Sequence, residues 1–342
     1  MSSASTASAA ASAATASAAA LATNIIFQGN SIDGWMAAYL TGLVYPADLV
    51  YFHPIDARTP DTWPAAEKLA PGIVLFVDCC PTGPDGKFAA EYAADLRRKH
   101  FPLRLFDNNP AAGKLISCDG FTVEHDASMS TTMLIWQHFC PSEPTPAWVS
   151  QVDRIENWHM MAANDMLIRE VLLEICRLPV AGKIEEAMAA TDNYLMAFED
   201  DSRAAALLAA GLAKMDAKTT SYMPIVERTA SIKLTAELCA KWQLPRMWIG
   251  STILCVDTTT DPAPDSSELA ACALRIKGGD AFINYRRRRG ADGKWQYIYS
   301  ARRAHDSGID LVAPCSPFKG FSKSAGGCVV AHKGAVIPFI SA

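Results

Sequence analysis

Three aspartates in this 342-residue chain follow short apolar runs at once or within one short loop. They are Asp33 in Gln-Gly-Asn-Ser-Ile-Asp-Gly, Asp78 in Leu-Phe-Val-Asp, and Asp107 in Leu-Phe-Asp-Asn-Asn. Such runs read as buried strands. Paired in parallel, they would bring all three carboxylates to the carboxyl edge of one sheet, where open α/β sheets bind ligands. Like charges that close repel and raise one another's pKa unless a divalent cation neutralises them. Oxygen-only ligation by aspartate selects hard metals, magnesium or manganese. Taken singly, each aspartate reads as well as a helix N-cap or a loop residue.

The elements that must position these residues begin after a tail, residues 1–23, composed almost wholly of Ala, Ser and Thr. That composition reads as disordered. The tail lacks the Lys or Arg that a secretory or mitochondrial leader would carry. From residue 24, apolar runs alternate with helical patterns, which predicts parallel strands over 24–28, 48–52, 73–77 and 103–106. Helices are predicted over 33–43 and 88–100, and together these make a doubly wound α/β sheet. Helical spacing follows over 131–139, 147–158 and 166–176. We place the first domain at 24–200 and a helical connector at 201–244. A smaller α/β domain is placed at 245–342, with strands over 248–256, 281–287 and 295–301, a helix over 268–275, and a hairpin turn at Gly290-Ala291-Asp292-Gly293.

Composition narrows the partners. With 31 basic and 36 acidic side chains, the formal charge is −5, so no global attraction to nucleic acid exists and any phosphate affinity must be local. The ten cysteines are scattered, with one adjacent pair, Cys79-Cys80, and no CxxC. This predicts reduced thiols and a cytoplasmic location. No segment reaches about 18 uninterrupted apolar residues, so no membrane partner is expected.

The motifs carrying the three aspartates resemble those of the DHH superfamily of phosphoesterases. The family's His-Gly-Asn-x-x-Asp-Gly is similar to Gln28-Gly29-Asn30-Ser31-Ile32-Asp33-Gly34. Its second motif, a strand ending in Asp, is matched by Asp78, and Asp-His-His is matched by Asp107-Asn108-Asn109. A fourth family aspartate, on a helix, resembles Asp153. The resemblance implies that Asp33, Asp78, Asp107 and Asp153 hold Mn2+ or Mg2+. It also implies a companion domain of the DHHA1 type, whose Ser-x-Arg strand is similar to Ser300-Ala301-Arg302. That domain's glycine-rich loop resembles residues 320–326, with Gly320, Ser324 and Gly326 holding substrate phosphate and Phe321 standing where the family has histidine. Gln28, Asn108, Asn109 and Phe321 thus replace four imidazoles. An amide is a weaker metal donor and cannot exchange a proton near pH 7. His53, His125 and His159 are the histidines that could compensate.

Arg286-Arg287-Arg288-Arg289 is the strongest basic run, read either as a phosphate-binding face or as a solvated hairpin tip, with Arg302-Arg303 expected across the hairpin. Alternate strand residues face opposite sides, so half of the run can line one surface. Trp295, Tyr297 and Tyr299 alternate on the partner strand and read as packing more than as a base-stacking platform. Two functions follow. One is metal-dependent hydrolysis, with impaired catalysis, of a phosphodiester, small nucleotide or short oligonucleotide in an interdomain cleft. The other is an inactive homologue that binds a nucleotide, a phosphate or a protein.

Overall fold

The computed structural model describes residues 21–56, 59–81, 87–99, 101–113, 121–157, 163–241, 244–261, 266–289, 295–304, 307, 309 and 326–330. The chain forms two compact units, residues 1–214 and 215–342. Their boundary falls inside the helix Asp201–Arg228.

The first unit is built on five strands: β1 (Ala22–Gln28), β2 (Val50–Ile55), β3 (Gly72–Val77), β4 (Leu103–Phe106) and β5 (Phe121–Glu124). They lie in the order β2-β1-β3-β4-β5, and every pairing is parallel. Residues alternate between the faces because successive side chains point to opposite sides. Ile25 and Phe27 enter a core with α1 (Ile32–Val44), whereas Ile26 enters a second core with Leu96 of α2 (Lys87–Arg98). Both faces are thus covered, which is why residues 25–27 of β1 and residues 73–77 of β3 run apolar without alternation. The order reverses between β1 and β3. Asp33 and Asp78 follow those two strands and so flank the switch point.

The first core also receives α3 (Thr131–Phe139), α4 (Ala147–Glu156), α5 (Ala163–Ile175) and α6 (Ile184–Met196). The chain then enters α7 (Asp201–Arg228). Strand β1 starts at Ala22, inside the stretch expected to be tail, because its first two residues already pair with Gly72 and Ile73. Strand β5 was not expected. Its Phe-Thr-Val-Glu sequence is short and half polar, and its pairing with β4 supplies the order that its composition lacks.

The second unit contains β6 (Ala230–Lys233), α8 (Ala236–Lys241), β7 (Thr252–Asp257), α9 (Ser266–Lys277), β8 (Ala281–Arg289), β9 (Trp295–Arg303) and β10 (Gly326–Val330). Its sheet runs β10-β9-β8-β7-β6. Only β7 and β8 pair in parallel, joined through α9. The stretch expected to be a wholly helical connector therefore includes a strand. Ala230-Ser231-Ile232-Lys233 carries one large apolar residue, and its strand form depends on the ladder with β7.

Candidate functional site

Short-range chemistry sets up the switch point. Ser31 caps α1: its hydroxyl accepts from the Gly34 amide at 3.0 Å and donates to Asp78 Oδ2 at 2.7 Å. A β-carbon at Gly34 would lie 2.2 Å from the carbonyl oxygen of Gln28, so only glycine lets α1 start this close to β1. Asn30 and Asp78 both adopt positive φ, 58° and 52°, a conformation unusual for residues with side chains. Asp78 is held there with its amide donating to Phe106 O at 2.9 Å.

Asp33 is 2% exposed, and both its oxygens are engaged by the start of α3. Oδ2 accepts from the Thr131 amide at 2.6 Å, while Oδ1 accepts from the Thr132 amide at 2.8 Å and the Thr132 hydroxyl at 2.7 Å. Asp153 continues the same pattern, its Oδ1 accepting from the Ser130 amide at 2.6 Å and from Asn157 Nδ2 at 3.1 Å. The Met133 amide donates to Ser130 Oγ at 3.2 Å. Two carboxylates and one hydroxyl therefore satisfy four consecutive amides at the positive end of α3, the groups a helix leaves without internal partners. Asp107, also 2% exposed, accepts from the Asn109 amide at 2.7 Å.

Burial raises the proton affinity of Asp33, Asp78 and Asp107. Asp33 lies above the usual carboxylate range because of desolvation, which its hydrogen bonds from Thr132 and Thr131 partly oppose. Asp78 lies well above it through desolvation, then through the charges of Asp33 and Asp107, with Glu156 adding to them. Asp107 is pushed up to about 6, again chiefly by desolvation. Glu156 was missed in the sequence. It sits three residues after Asp153, a spacing that shares one helix face, and that spacing was the available signal.

Gln28, at the end of β1, donates to Gly29 O at 3.0 Å, and Asn108 donates to Met129 O at 3.1 Å. Both amides hold backbone loops. His53 lies inside β2, opposite Ile26, with its Nε2 3.3 Å from Asn24 Oδ1; burial lowers its pKa. His125 lies just after β5 beside Gly113, and His159 is outside the described residues. Among the described residues, no three His, Cys, Asp or Glu side chains are placed to hold a metal ion together. With Asp33 and Asp153 aimed at helix amides and the imidazoles replaced, this donor set does not fit a two-cation hydrolytic centre. Backbone amides engage it instead.

In the second unit Ser300 is buried and Arg302 partly so, with Arg302 Nη1 donating to Ala301 O at 3.0 Å. Their partners across the hairpin are Asn284 and Phe282, and Arg302 also pairs with Gly326 of β10. Arg286 through Arg289 instead face Ile298 through Trp295. The expectation that Arg302-Arg303 lie opposite the arginine run is therefore wrong: β8 and β9 pair along nine residues each, which puts the two groups at opposite ends of the ladder. Gly320, Phe321, Ser324 and the turn at 290–293 lie outside the described residues, as does the tail over 1–20.

No family model matches the chain, and no curated protein matches it. Solved structures do. The chain is similar to a pGpG-specific phosphodiesterase, PggH, of Vibrio cholerae, at 11% identity and a TM-score of 0.45, covering 91% of this chain and 93% of that one. It is similar to RecJ from Thermus thermophilus in complex with Mn2+, at 14% identity and a TM-score of 0.42, covering 96% of this chain and 52% of that one. An uncharacterized protein from Helicobacter pylori matches at 11% identity and a TM-score of 0.31, covering 90% and 93%. Among the described residues, no helix is long and apolar enough to cross a membrane. These identities and TM-scores leave the chain's chemistry to its own residues.

Proposed function

We propose that this chain is a divergent DHH/DHHA1-type protein that binds a phosphate-containing ligand, a small nucleotide or short oligonucleotide, and hydrolyses it slowly or not at all. The motif order along the sequence supports the family. One observation carries the impaired chemistry: both oxygens of Asp33 accept from the first amides of α3, so the first motif's carboxylate serves as a helix cap. Gln28, Asn108 and Asn109 remove the imidazoles that would ligate metal or exchange protons, and two of these three hold loop carbonyls. Ser300 and Arg302 are the phosphate-holding candidates, since a guanidinium fork matches phosphate oxygens.

The competing reading, full Mn2+- or Mg2+-dependent hydrolysis, draws on the mutual repulsion of Asp33, Asp78 and Asp107, which a cation would relieve. Thermal unfolding of the chelator-treated chain with and without millimolar Mn2+ separates the two, because a ligand binding only the folded state raises the midpoint. The proposal expects no rise for the parent. It expects a rise, with increased hydrolysis of a generic phosphodiester, once Gln28→His, Asn108→His and Asn109→His are combined. Parent turnover equal to that of the triple variant would overturn it.

A further inference from the structure

The second unit holds a cavity of about 430 Å³ at the carboxyl ends of β7 and β8, lined by Arg228, Asp257, Thr259, Thr260, Tyr285 and Arg287 among others. Its volume falls within the roughly 300–1,000 Å³ of small-molecule sites. Register explains its floor. Asp257 pairs with Tyr285 in the parallel ladder, and Tyr285 and Arg287, two residues apart on β8, share one face. The loop after β7 closes one wall: the Thr259 amide donates to Asp257 Oδ1 at 2.8 Å, and the Thr259 hydroxyl accepts from the Arg287 amide at 2.8 Å. That hydroxyl keeps its own proton to donate.

The charges here are compensated but not consumed. Arg228 places one Nη on Asp261 at 2.6 Å, which leaves most of its five N–H donors available. Arg287 lies 3.7 Å from Asp257, too far for a hydrogen bond. Arg286 uses one Nη on the Asp261 carbonyl oxygen at 3.2 Å. Within the lining, two guanidinium groups thus stand against one carboxylate, Asp257. Two exposed guanidinium forks and two threonine hydroxyls around an aromatic floor match the oxygens of a phosphate monoester with a flat group attached.

We propose that this cavity is a second phosphate site, binding a phosphate monoester such as a nucleoside monophosphate between Arg228 and Arg287. Its Arg287 stands apart from Arg302, which pairs with Phe282, five residues back along β8. At about 3.4 Å per residue the two places are roughly 17 Å apart. The site needs no metal and does not depend on the acidic edge of the first unit.

Calorimetric titration of the full chain in chelator, with inorganic phosphate in one arm and adenosine monophosphate in the other, tests it. Losing a charge-assisted contact should weaken binding about tenfold or more in Arg287→Gln. Thr260→Glu, which sets a carboxylate in the cavity from an exposed position, should do the same, while Lys183→Gln, at an exposed position of the first unit, stays within about twofold of the parent. Equal sensitivity in both arms identifies phosphate as the recognised group; binding of the monophosphate alone, lost in both variants, identifies the nucleotide. No binding by the parent in either arm, undiminished binding in both cavity variants, or an equal loss in Lys183→Gln overturns the proposal. A parent that binds phosphate here while failing to respond to Mn2+ keeps this site and the proposed function apart.

Discussion

Parallel strands end in charged loops in both units, and the two loops use their charge differently. After β1, β3 and β4 the charge is acidic and turned inward, with Asp33 and Asp107 each 2% exposed and hydrogen-bonded to backbone amides. Beside β7 and β8 it is mostly basic and turned outward, with the side chains of Arg228, which ends α7, and Arg287, within β8, 47% and 49% exposed. Burial accounts for the difference. A carboxylate taken out of water must find donors or a proton, and the start of α3 supplies donors; an exposed guanidinium keeps its solvation and stays available to a ligand. The family resemblance places phosphate chemistry at the acidic edge, whereas the basic cavity has the free donors.

The largest effect expected from breaking this contrast is at Asp33. Asp33→Ala removes three accepted hydrogen bonds and leaves the Thr131 and Thr132 amides, both on buried residues, without their acceptor. A loss of about 3 kcal/mol is expected, from stranded donors and the missing cap. Urea denaturation in chelator measures it. Were Asp33 held only as a metal ligand, the same substitution would relieve repulsion with Asp78 and stabilise the metal-free chain.

Asp107 sharpens the contrast in the opposite direction. Its pKa of about 6 in the fold stands above the ordinary 3.8, raised first by desolvation. The folded state therefore binds this proton more tightly than the unfolded chain does. The stability it contributes is complete below about pH 4 and is lost as pH rises through 6. Asp107→Asn keeps an oxygen for the Asn109 amide and removes the charge. A gain of about 2 kcal/mol at pH 8 is expected, shrinking to nothing by pH 4. A gain that does not depend on pH would mean that the carboxyl titrates alike in the folded and the unfolded chain, with no raised pKa.

Much of this was legible in the sequence, and the failures share a cause. The runs leading to Asp78 and Asp107 predict β3 and β4 closely: β3 is buried on both faces and needs no alternation, and in β4 only Arg104 breaks the apolar run. The helix over 131–139 was readable because its apolar spacing is local. What could not be read is long-range. The partner of Asp33 lies 98 residues away at Thr131, and no spacing rule connects them. Strands β5 and β6 exist through pairing with β4 and β7, since their own residues are half polar. The opposition expected between Arg302-Arg303 and the arginine run failed on register. With partners fixed across a five-residue connection, each β8 residue meets the β9 residue whose number makes the pair total 584, as Arg287 and Tyr297 do. The sequence reading had placed the turn at residues 290–293 without counting the register outward from it.

Asp153 is the intermediate case, because it caps the same helix from a partly exposed position. Its Oδ1 serves the Ser130 amide and Asn157, so Asp153→Ala should cost about 1 kcal/mol, near the typical worth of one capping contact. Combined with Asp33→Ala, the loss should depart from the sum of the single losses, since both carboxylates satisfy one helix end. Strict additivity in urea denaturation would mean that the two act on α3 independently.

The smallest effect is expected at the basic edge, and its smallness matters. Arg287 holds Asp257 at 3.7 Å with both side chains at least a third exposed, the geometry in which ion pairs contribute little against screening and lost side-chain entropy. Arg287→Gln should shift the stability of the ligand-free chain by less than about 0.5 kcal/mol. A residue that matters so little to folding, in a cavity it shares with the Arg228 guanidinium, is held there by something other than stability. If Arg287→Gln instead costs as much as Asp33→Ala, the two edges do the same work, and the cavity's arginines are structural. If the loss is negligible while binding of a phosphate monoester falls, the units divide their labour: the acidic edge stabilises its own helix, and the basic edge remains open to a ligand.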